Sequence, residues 1–241
     1  MSTLENKVVL IIGGSSGIGF GVAEASLKSL AKTVLIASSN QNHVNNAVER
    51  LINAKLGPGQ INGHVVDAGN EQSIKTLLES VGEVDHIVFT SGLSYSTLKF
   101  PGLDISKAKE IMDLRIWSAI AIAKYAKFRP GGSLTLTTGT MAIKPVPTLS
   151  VITASGGAVH SLIKGLAIDL APIRVNVICP GPLFDRLEKE AQDILWNEII
   201  PKLLVKHVGM PNEVAEAYLF CMKCTFITGQ CIVVDGGQIL S

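Results

Sequence analysis

The sequence has little charge and almost no excess of either sign. Charged residues make up 17% of the 241 residues, and 21 Lys+Arg against 20 Asp+Glu leave a formal net charge of +1. No basic excess is present to neutralise a phosphate backbone, which argues against nucleic acid as a partner. Apolar residues reach 47%, too many for a disordered chain. We therefore expect one globular domain over residues 1–241.

Aromatic residues, export signals and long apolar runs are also scarce. Aromatics are 5% of the chain beside 23 glycines, which favours a helix-covered parallel sheet over an antiparallel sandwich. The first ten residues lack the basic and apolar regions of a signal peptide. The longest uncharged run, 145–163, contains two prolines and a Gly-Gly pair, unlike a membrane span. We expect a cytoplasmic protein with no membrane partner.

Only four cysteines occur, at positions 179, 221, 224 and 231. Without an export signal they predict free thiols in a reducing compartment. Cys221 and Cys224 form a C-x-x-C pair, but no second C-x-x-C or His pair completes a four-ligand zinc site. The spacing therefore predicts structural thiols and no metal.

Strand-length apolar runs alternate with helix-length amphipathic stretches along the chain. Strands are predicted over 8–12, 33–37, 61–66, 86–90, 133–137, 174–178 and 231–234. Helices are predicted over 19–30, 41–55, 71–80, 105–128, 153–170 and 211–223. This α/β alternation predicts a single-domain, Rossmann-like doubly wound parallel sheet of about seven strands flanked by helices. Residues 182–208 fall outside it and form either a substrate lid or an ordinary helical insertion.

A glycine-rich turn directly follows the first predicted strand. It runs Gly13-Gly14-Ser15-Ser16-Gly17-Ile18-Gly19 and leads into a helix. Glycine lets the backbone approach a pyrophosphate closely, and the free N–H groups and dipole of the helix N-terminus attract the anion. Between the first strand and first helix of a βαβ unit, such a turn predicts a dinucleotide site.

The spacing G-x-x-x-G-x-G resembles that of the short-chain dehydrogenase/reductase superfamily. Further segments agree in order over essentially the whole chain: V-D-A at 66–68, R-V-N-V-I-C-P-G at 174–181, G-M-P-N-E-V-A at 209–215, I-T-G-Q at 227–230 and V-D-G-G at 234–237. The resemblance implies a Rossmann fold, a nicotinamide cofactor and assembly into homodimers or homotetramers. The cofactor contacts expected from these positions are Gly13, Ser15, Ser16, Gly17, Ile18, Gly19, Ser38, Ser39, Asn40, Asp67, Ala68, Thr90, Ser91, Gly92, Pro180, Gly181 and Leu183.

The end of the second strand indicates which cofactor is bound. NAD enzymes of this kind carry an acid there to hold the ribose 2′-hydroxyl, whereas this chain has Ser38-Ser39-Asn40. The arginine of the usual 2′-phosphate clamp is absent too, but three small polar groups can hydrogen-bond a phosphate and no carboxylate repels it. We predict NADP(H). The alternative is that these residues only cap the following helix.

The resemblance also locates four catalytic positions, and all four are changed. The segment 152–159, I-T-A-S-G-G-A-V, aligns with the family's Y-x-A-S-K-A-A-V. Ile152 thus replaces the tyrosine and Gly156 replaces the lysine. Gly139 stands at the serine position and Arg115 at the asparagine position. Ketone reduction therefore lacks its usual proton donor.

Two charged residues are the candidates for direct roles in a reaction. Arg115 interrupts an apolar helix, where it can orient cofactor or substrate through bidentate hydrogen bonds, or pair with Asp113. Asp185 follows Pro180-Gly181 and can stabilise a substrate cation or cap a helix. A second Y-x-x-x-K, at 95–99, falls in a predicted loop, where its two side chains do not share a helix face.

Kept cofactor motifs beside a lost proton donor suggest the function. An iminium ion accepts hydride without protonation, so we predict an atypical NADP(H)-dependent oxidoreductase acting on a small apolar or imine-bearing secondary metabolite. The alternatives are a non-redox catalyst in the same pocket (isomerase, cyclase or Diels–Alderase-like) and a cofactor-sensing pseudoenzyme. The pattern resembles fungal reductase/Diels–Alderase enzymes of prenylated indole alkaloid pathways. Those enzymes carry a P-D-P loop, which is Pro145-Val146-Pro147 here.

Overall fold

One parallel sheet of seven strands organises the computed structural model, which describes residues 3–92, 99–183 and 195–241. The strands are β1 (Val8–Ile12), β2 (Thr33–Ser38), β3 (Gln60–Val65), β4 (Glu83–Phe89), β5 (Lys127–Thr137), β6 (Arg174–Pro180) and β7 (Cys231–Val234). Their order is β3-β2-β1-β4-β5-β6-β7, and each neighbouring pair is parallel. The predicted doubly wound, Rossmann-like fold class is confirmed.

Helices cover both faces of this sheet. Within the described ranges they are α1 (Gly17–Lys28), α2 (Gln41–Ala54), α3 (Glu71–Val81), α4 (Ile105–Met112), α5 (Ser118–Tyr125), α6 (Ser150–Asp169) and α7 (Pro211–Lys223). A π-helical turn, Asp113–Trp117, joins α4 to α5. The helix predicted over 105–128 therefore ends earlier, at Tyr125, because the chain becomes extended at Ala126 and β5 begins at Lys127.

The core has two apolar layers, one on each face of the sheet. Successive residues of a strand point to opposite faces. Leu10 and Ile12 accordingly pack with residues of α3, α5 and α6, whereas Val9 and Ile11 pack with residues of α1, α2 and α7. All four side chains are fully buried. Near-continuous apolar strands of this kind are what a sheet covered on both faces requires.

The strand order determines where a ligand can bind. β1 has β2 on one side and β4 on the other, so the chain reverses its direction of travel across the sheet at β1. Ligands of doubly wound sheets bind at such a switch point, outside the carboxyl ends of the strands. The carboxyl end of β1 is Ile12, and the glycine-rich turn follows it directly.

Candidate cofactor and substrate site

The glycine-rich turn packs so closely on β4 that side chains do not fit. Gly13 has φ +96°, and a Cβ atom there would lie 2.6 Å from the Thr90 Oγ1. A Cβ atom at Gly19 would clash with the carbonyl oxygen of Gly13. Left-handed φ and this close approach both require glycine. Packing within the protein therefore requires these glycines, in addition to the close approach to a pyrophosphate that the sequence predicts.

The N-terminus of α1 opens toward the same space. Gly17 begins the helix, and the extended Ser16 precedes it at the N-cap. The Ser16 side chain makes no capping hydrogen bond with any described residue. The first N–H groups of α1 are therefore available to an anion, which the helix dipole also favours.

A cavity of about 670 Å³ lies between this turn and the ends of β2, β3 and β4. Its volume is in the range of cofactor and ligand pockets. Most of the residues predicted to contact the cofactor line it, namely Gly13, Ser15, Ser16, Gly17, Ile18, Gly19, Ser38, Ser39, Asp67, Ala68, Thr90, Ser91, Gly92 and Leu183. Asn40, Pro180 and Gly181 are not among its lining residues.

The three exceptions have structural partners of their own. Asn40 caps α2, because its Oδ1 accepts a hydrogen bond from the His43 N–H at 3.1 Å. The capping interpretation is therefore the one that the structure supports for Asn40. Pro180 ends β6, and the Gly181 N–H donates to the Val234 carbonyl at 3.0 Å. Gly181 also lies close to the end of β7, and a Cβ atom on Gly181 would be 2.7 Å from the Asp235 Cα.

Two serines face the cavity where the second strand ends. The Ser15 hydroxyl donates to the Ser38 hydroxyl at 3.0 Å, which links the glycine-rich turn to β2. Ser39 lines the cavity beside them. These hydroxyls offer both donors and acceptors, and no carboxylate of β2 lies among them. The arrangement suits a 2′-phosphate better than the 2′-hydroxyl that an acid would hold.

The turn after β3 is held in place by its own hydrogen bonds. The Asp67 Oδ1 accepts from the Gly69 N–H at 3.0 Å, and the Asp67 N–H donates to the Ser73 hydroxyl at 2.9 Å. The Ala68 carbonyl accepts a hydrogen bond from the Ser118 hydroxyl of α5. The turn therefore presents a fixed wall to the cavity.

Five lining residues were not among the expected cofactor contacts: Val66, Gly69, Glu110, Asp113 and Leu114. Three of them, Glu110, Asp113 and Leu114, have the i, i+3, i+4 spacing of one helix face, at the junction of α4 with the π-helical turn. That spacing is the signal that could have found them. The cavity thus has a second wall made by this helix.

Arg115 lies in the same π-helical turn, between Leu114, which lines the cavity, and Trp117, which is exposed. Arg115 is half-buried and is not among the cavity-lining residues. The other predicted catalytic residue, Asp185, lies outside the described residues, as does the rest of 184–194 in the predicted lid. The last part of 182–208 is helical at Leu195–Ile199 and Ile200–Lys202, and Ile200, Leu203 and Val208 pack together.

Packing closes two of the four positions where the family resemblance places catalytic groups, Ile152 and Gly156, whereas Gly139 has space around it. Ile152 is 3% exposed and packs against Ala108 and Ile111 of α4. At Gly156, a Cβ atom would lie 2.7 Å from the Ala142 Cβ, so no side chain fits without a shift. At Gly139, a Cβ atom would be 3.8 Å from the nearest atom, the Pro180 carbonyl oxygen, and the φ of −170° suits any residue. Neither isoleucine nor glycine has a titratable side chain, so Gly139, Ile152 and Gly156 provide no proton donor.

Tyr218 is a buried phenol that is not among the predicted site residues. Its hydroxyl lies 2.7 Å from the Thr137 Oγ1 at the end of β5, and Thr137 donates to the Phe89 carbonyl. Burial raises the pKa of Tyr218, and its side chain is fully buried. Tyr218 therefore joins α7 to the sheet and does not replace the missing proton donor.

Comparison with known proteins agrees with this architecture. The family model of the SDR-like Rossmann domain matches residues 1–241. The short-chain dehydrogenase/reductase fsr5 of Gibberella fujikuroi is 30% identical, over 100% of this chain and 97% of that protein. The chain therefore belongs to the short-chain dehydrogenase/reductase family, as its motifs predicted.

Two solved structures are similar over nearly the whole chain. The reductase/Diels–Alderase MalC of Malbranchea aurantiaca superposes with a TM-score of 0.90 at 31% identity, covering 98% of this chain and 97% of MalC. A small-chain dehydrogenase in complex with NADPH superposes with a TM-score of 0.79 at 28% identity, covering 98% of this chain and 100% of that one. The relation to fungal pathway reductases, expected from the sequence, is confirmed.

Proposed function

We propose that this protein is an NADP(H)-dependent reductase that acts on a small, apolar, imine-bearing metabolite without a protein proton donor. The observation that carries the proposal is the contrast between two halves of one site. The cofactor cleft keeps its glycine turn, helix N-terminus and serines, whereas the proton-relay positions hold buried Ile152 and the packed Gly156. A site of this composition fits a reaction that needs hydride and no proton.

The chemistry of an iminium substrate matches this site. NADPH, when bound, supplies a hydride that adds to the iminium carbon, while the C=N π electrons become the lone pair of the amine nitrogen. No O–H bond forms, so no acid is required. Ile111 and Ile152 are buried in one apolar cluster and offer no proton donor, and the fixed cleft positions the two reactants.

Cofactor selection is the first test of this proposal. The fit of a pyrophosphate to the turn at Gly13 and Gly19, and of a phosphate to Ser15, Ser38 and Ser39, supports NADP(H). The NADPH held by one structural relative supports the same choice. We expect NADPH to bind more tightly than NADH in titration calorimetry. Equal or tighter binding of NADH contradicts the cofactor assignment, and no binding of either contradicts the enzyme proposal.

A non-redox reaction in the same pocket is the second candidate. It is favoured by the similarity to MalC, whose name includes a Diels–Alderase activity. The two candidates differ in stoichiometry, because reduction consumes one NADPH per product and rearrangement or cycloaddition consumes none. Product formed without NADPH oxidation selects the second candidate. NADPH binding without any turnover selects the third alternative, a cofactor-sensing pseudoenzyme.

Arg115 is proposed to orient the substrate or cofactor. It stands in a π-helical turn, a feature that recurs at functional sites, beside Asp113 and Leu114 of the cavity wall. We expect Arg115→Ala to lower kcat/KM by about tenfold or more, and Arg115→Lys to recover little, because a lysine cannot make the bidentate fork. Full activity in both variants would show that Arg115 does not orient the substrate or the cofactor.

A second copy of this chain is proposed to cover α6. This helix is long and apolar enough to cross a membrane by length and composition, yet only 28% of its most apolar window is buried within the chain. Ile168 of α6 is 78% exposed and Trp117 of the π-helical turn is 62% exposed. Exposed apolar surface on this scale marks an interaction site. We expect a dimer or tetramer in size-exclusion chromatography with light scattering, and a monomer contradicts this.

A further inference from the structure

A cluster of two thiols and one imidazole lies where α6 packs on β6 and β7. His160 of α6, Cys179 of β6 and Cys231 of β7 place their Nε2 and Sγ atoms within 4.8 Å of one another. The His160 Nε2 lies 3.5 Å from the Cys231 Sγ and 3.1 Å from the Thr138 Oγ1. Three elements distant in sequence therefore converge on one point.

The register of the sheet explains how the two thiols meet. Val177 pairs with Cys231, and Cys179 follows Val177 by two residues, so both cysteines project from the same face. They are diagonal neighbours on parallel strands, and strands about 4.8 Å apart with a rise of about 3.3 Å per residue place their Cα atoms about 8 Å apart. A disulfide needs Cα atoms closer than about 7 Å, so an atom that bridges the two sulfurs suits this pair better than a direct bond.

The donor set matches one class of ligand. Two cysteine sulfurs and one histidine nitrogen are the ligands that zinc prefers, and Cys₂His is a known three-residue zinc set. Two thiolates balance a divalent cation, so the filled site carries no net charge into a region where Cys179 is fully buried. Zn–S bonds of about 2.3 Å bring tetrahedral sulfurs to about 3.8 Å, which small rotations of these side chains can reach.

We infer that His160, Cys179 and Cys231 bind one zinc ion, with a water in the fourth position. The ion fastens α6 to β6 and β7 just where Cys179 leads into Pro180 and Gly181. His160 also follows Gly156 by four residues on the same face of α6. The zinc ion thus serves as a structural clamp beneath the site, separate from the cofactor cleft.

The C-x-x-C pair, by contrast, serves another purpose. The Arg174 guanidinium donates to the carbonyls of Cys221, Met222 and Cys224 at the end of α7. These bonds satisfy the last carbonyls of the helix, which explains why an arginine stands there. Cys224 therefore offers a matched control: it is a half-buried thiol outside the proposed site.

The proposal is tested by metal analysis of the full-length protein. The protein is purified under reducing conditions, incubated with zinc and then dialysed to remove unbound zinc. We expect about one zinc per chain in wild type and in Cys224→Ser, and a loss of most of it in Cys231→Ser and His160→Gln. Cobalt substitution should add a sulfur-to-metal charge-transfer band that Cys231→Ser weakens and Cys224→Ser leaves unchanged. NADPH binding checks that each variant is folded.

Several results overturn the proposal. These are wild-type protein without zinc after dialysis, zinc that persists in Cys231→Ser and His160→Gln alike, and zinc lost equally in Cys224→Ser. A Cys179–Cys231 disulfide in protein purified without reductant, with no zinc bound after its reduction, overturns it as well. If Cys231→Ser does not fold, His160→Gln and the cobalt spectrum of wild type decide the question alone.

Discussion

At the scale of single residues, the glycines at the site fall into two groups. At Gly13 the backbone has φ +96° and approaches Thr90, so the residue must be glycine for the cofactor turn to form. Gly139 and Gly156 stand where the family resemblance places a catalytic serine and lysine. The motif separates these two sets because it fixes the position of each glycine relative to the strands and helices around it.

Gly13→Ala should weaken NADPH binding by at least about tenfold, since the left-handed φ and the contact with Thr90 each oppose a side chain. Titration calorimetry measures the change. Gly157→Ala is the control, because a Cβ atom there meets nothing within 4 Å. Unaltered binding by Gly13→Ala would mean that the turn does not need its observed conformation.

The pair Gly156 and Gly157 in α6 offers a matched test of packing. Gly156→Ala places its Cβ against Ala142 and should lower the free energy of unfolding by about 1–3 kcal/mol. Gly157→Ala faces open space and should raise it by roughly 0.5–1 kcal/mol, because alanine is the better helix former. Urea unfolding separates the two; a gain in stability for both variants contradicts the tight contact.

His86 should make stability depend on pH. It is buried, with its Nδ1 2.9 Å from the Ser133 Oγ. Burial lowers its pKa from 6.5 to about 4; Asp85 opposes the shift, and Arg174 and Lys7 add to it. The unfolded chain then binds more protons between these pH values, so the free energy of unfolding falls as pH drops through that window, by up to about 3 kcal/mol.

His86→Gln removes this titration, so its free energy of unfolding should fall less than that of wild type as the pH drops from 6.5 to 4. The difference between the two curves isolates His86 from His64, whose pKa burial also lowers. Chemical unfolding at a series of pH values measures both curves. Parallel curves would show that His86 is not the group responsible.

At the scale of elements, the pattern of apolar runs was enough to place the sheet. All seven predicted strands and six predicted helices correspond to elements of the structure, because a doubly wound sheet needs long apolar strands and amphipathic helices. The boundaries near residue 128 were wrong. The predicted strand began at residue 133, whereas β5 begins at Lys127 and includes Pro130, Gly131 and Gly132, at an irregularity where its register with β4 shifts.

The π-helical turn at Asp113–Trp117 could not be predicted from the sequence. A π-helical turn shifts the phase of the apolar pattern, but residues 111–123 are mostly apolar on every face, so the shift leaves no clear signal in the spacing. The consequence reaches the site, because the turn carries Arg115 and places Asp113 and Leu114 on the cavity wall. The sequence likewise did not predict that Cys179 of β6 and Cys231 of β7 lie close together, because only the register of the two strands brings them together.

At the scale of the whole molecule, the cofactor cleft keeps the family's motifs, whereas the positions where the resemblance places a tyrosine and a lysine hold the buried Ile152 and the closely packed Gly156. The fold opposes the introduction of a lysine and a tyrosine at these two positions. A lysine at Gly156 would clash with Ala142, and a tyrosine at Ile152 must fit an apolar cluster formed with Ala108 and Ile111. The loss is therefore built into the packing of α6, which explains why a reaction free of proton donation suits this chain.

The measurement that tests this account most directly compares two substrates of one skeleton, an iminium ion and the corresponding ketone. Each is mixed with the protein and NADPH, and NADPH oxidation and product are followed together. We predict stoichiometric reduction of the iminium ion, and reduction of the ketone slower by about a hundredfold or more, the usual contribution of a positioned acid. Ketone reduction at a comparable rate would show that a proton donor is present after all and would contradict the account.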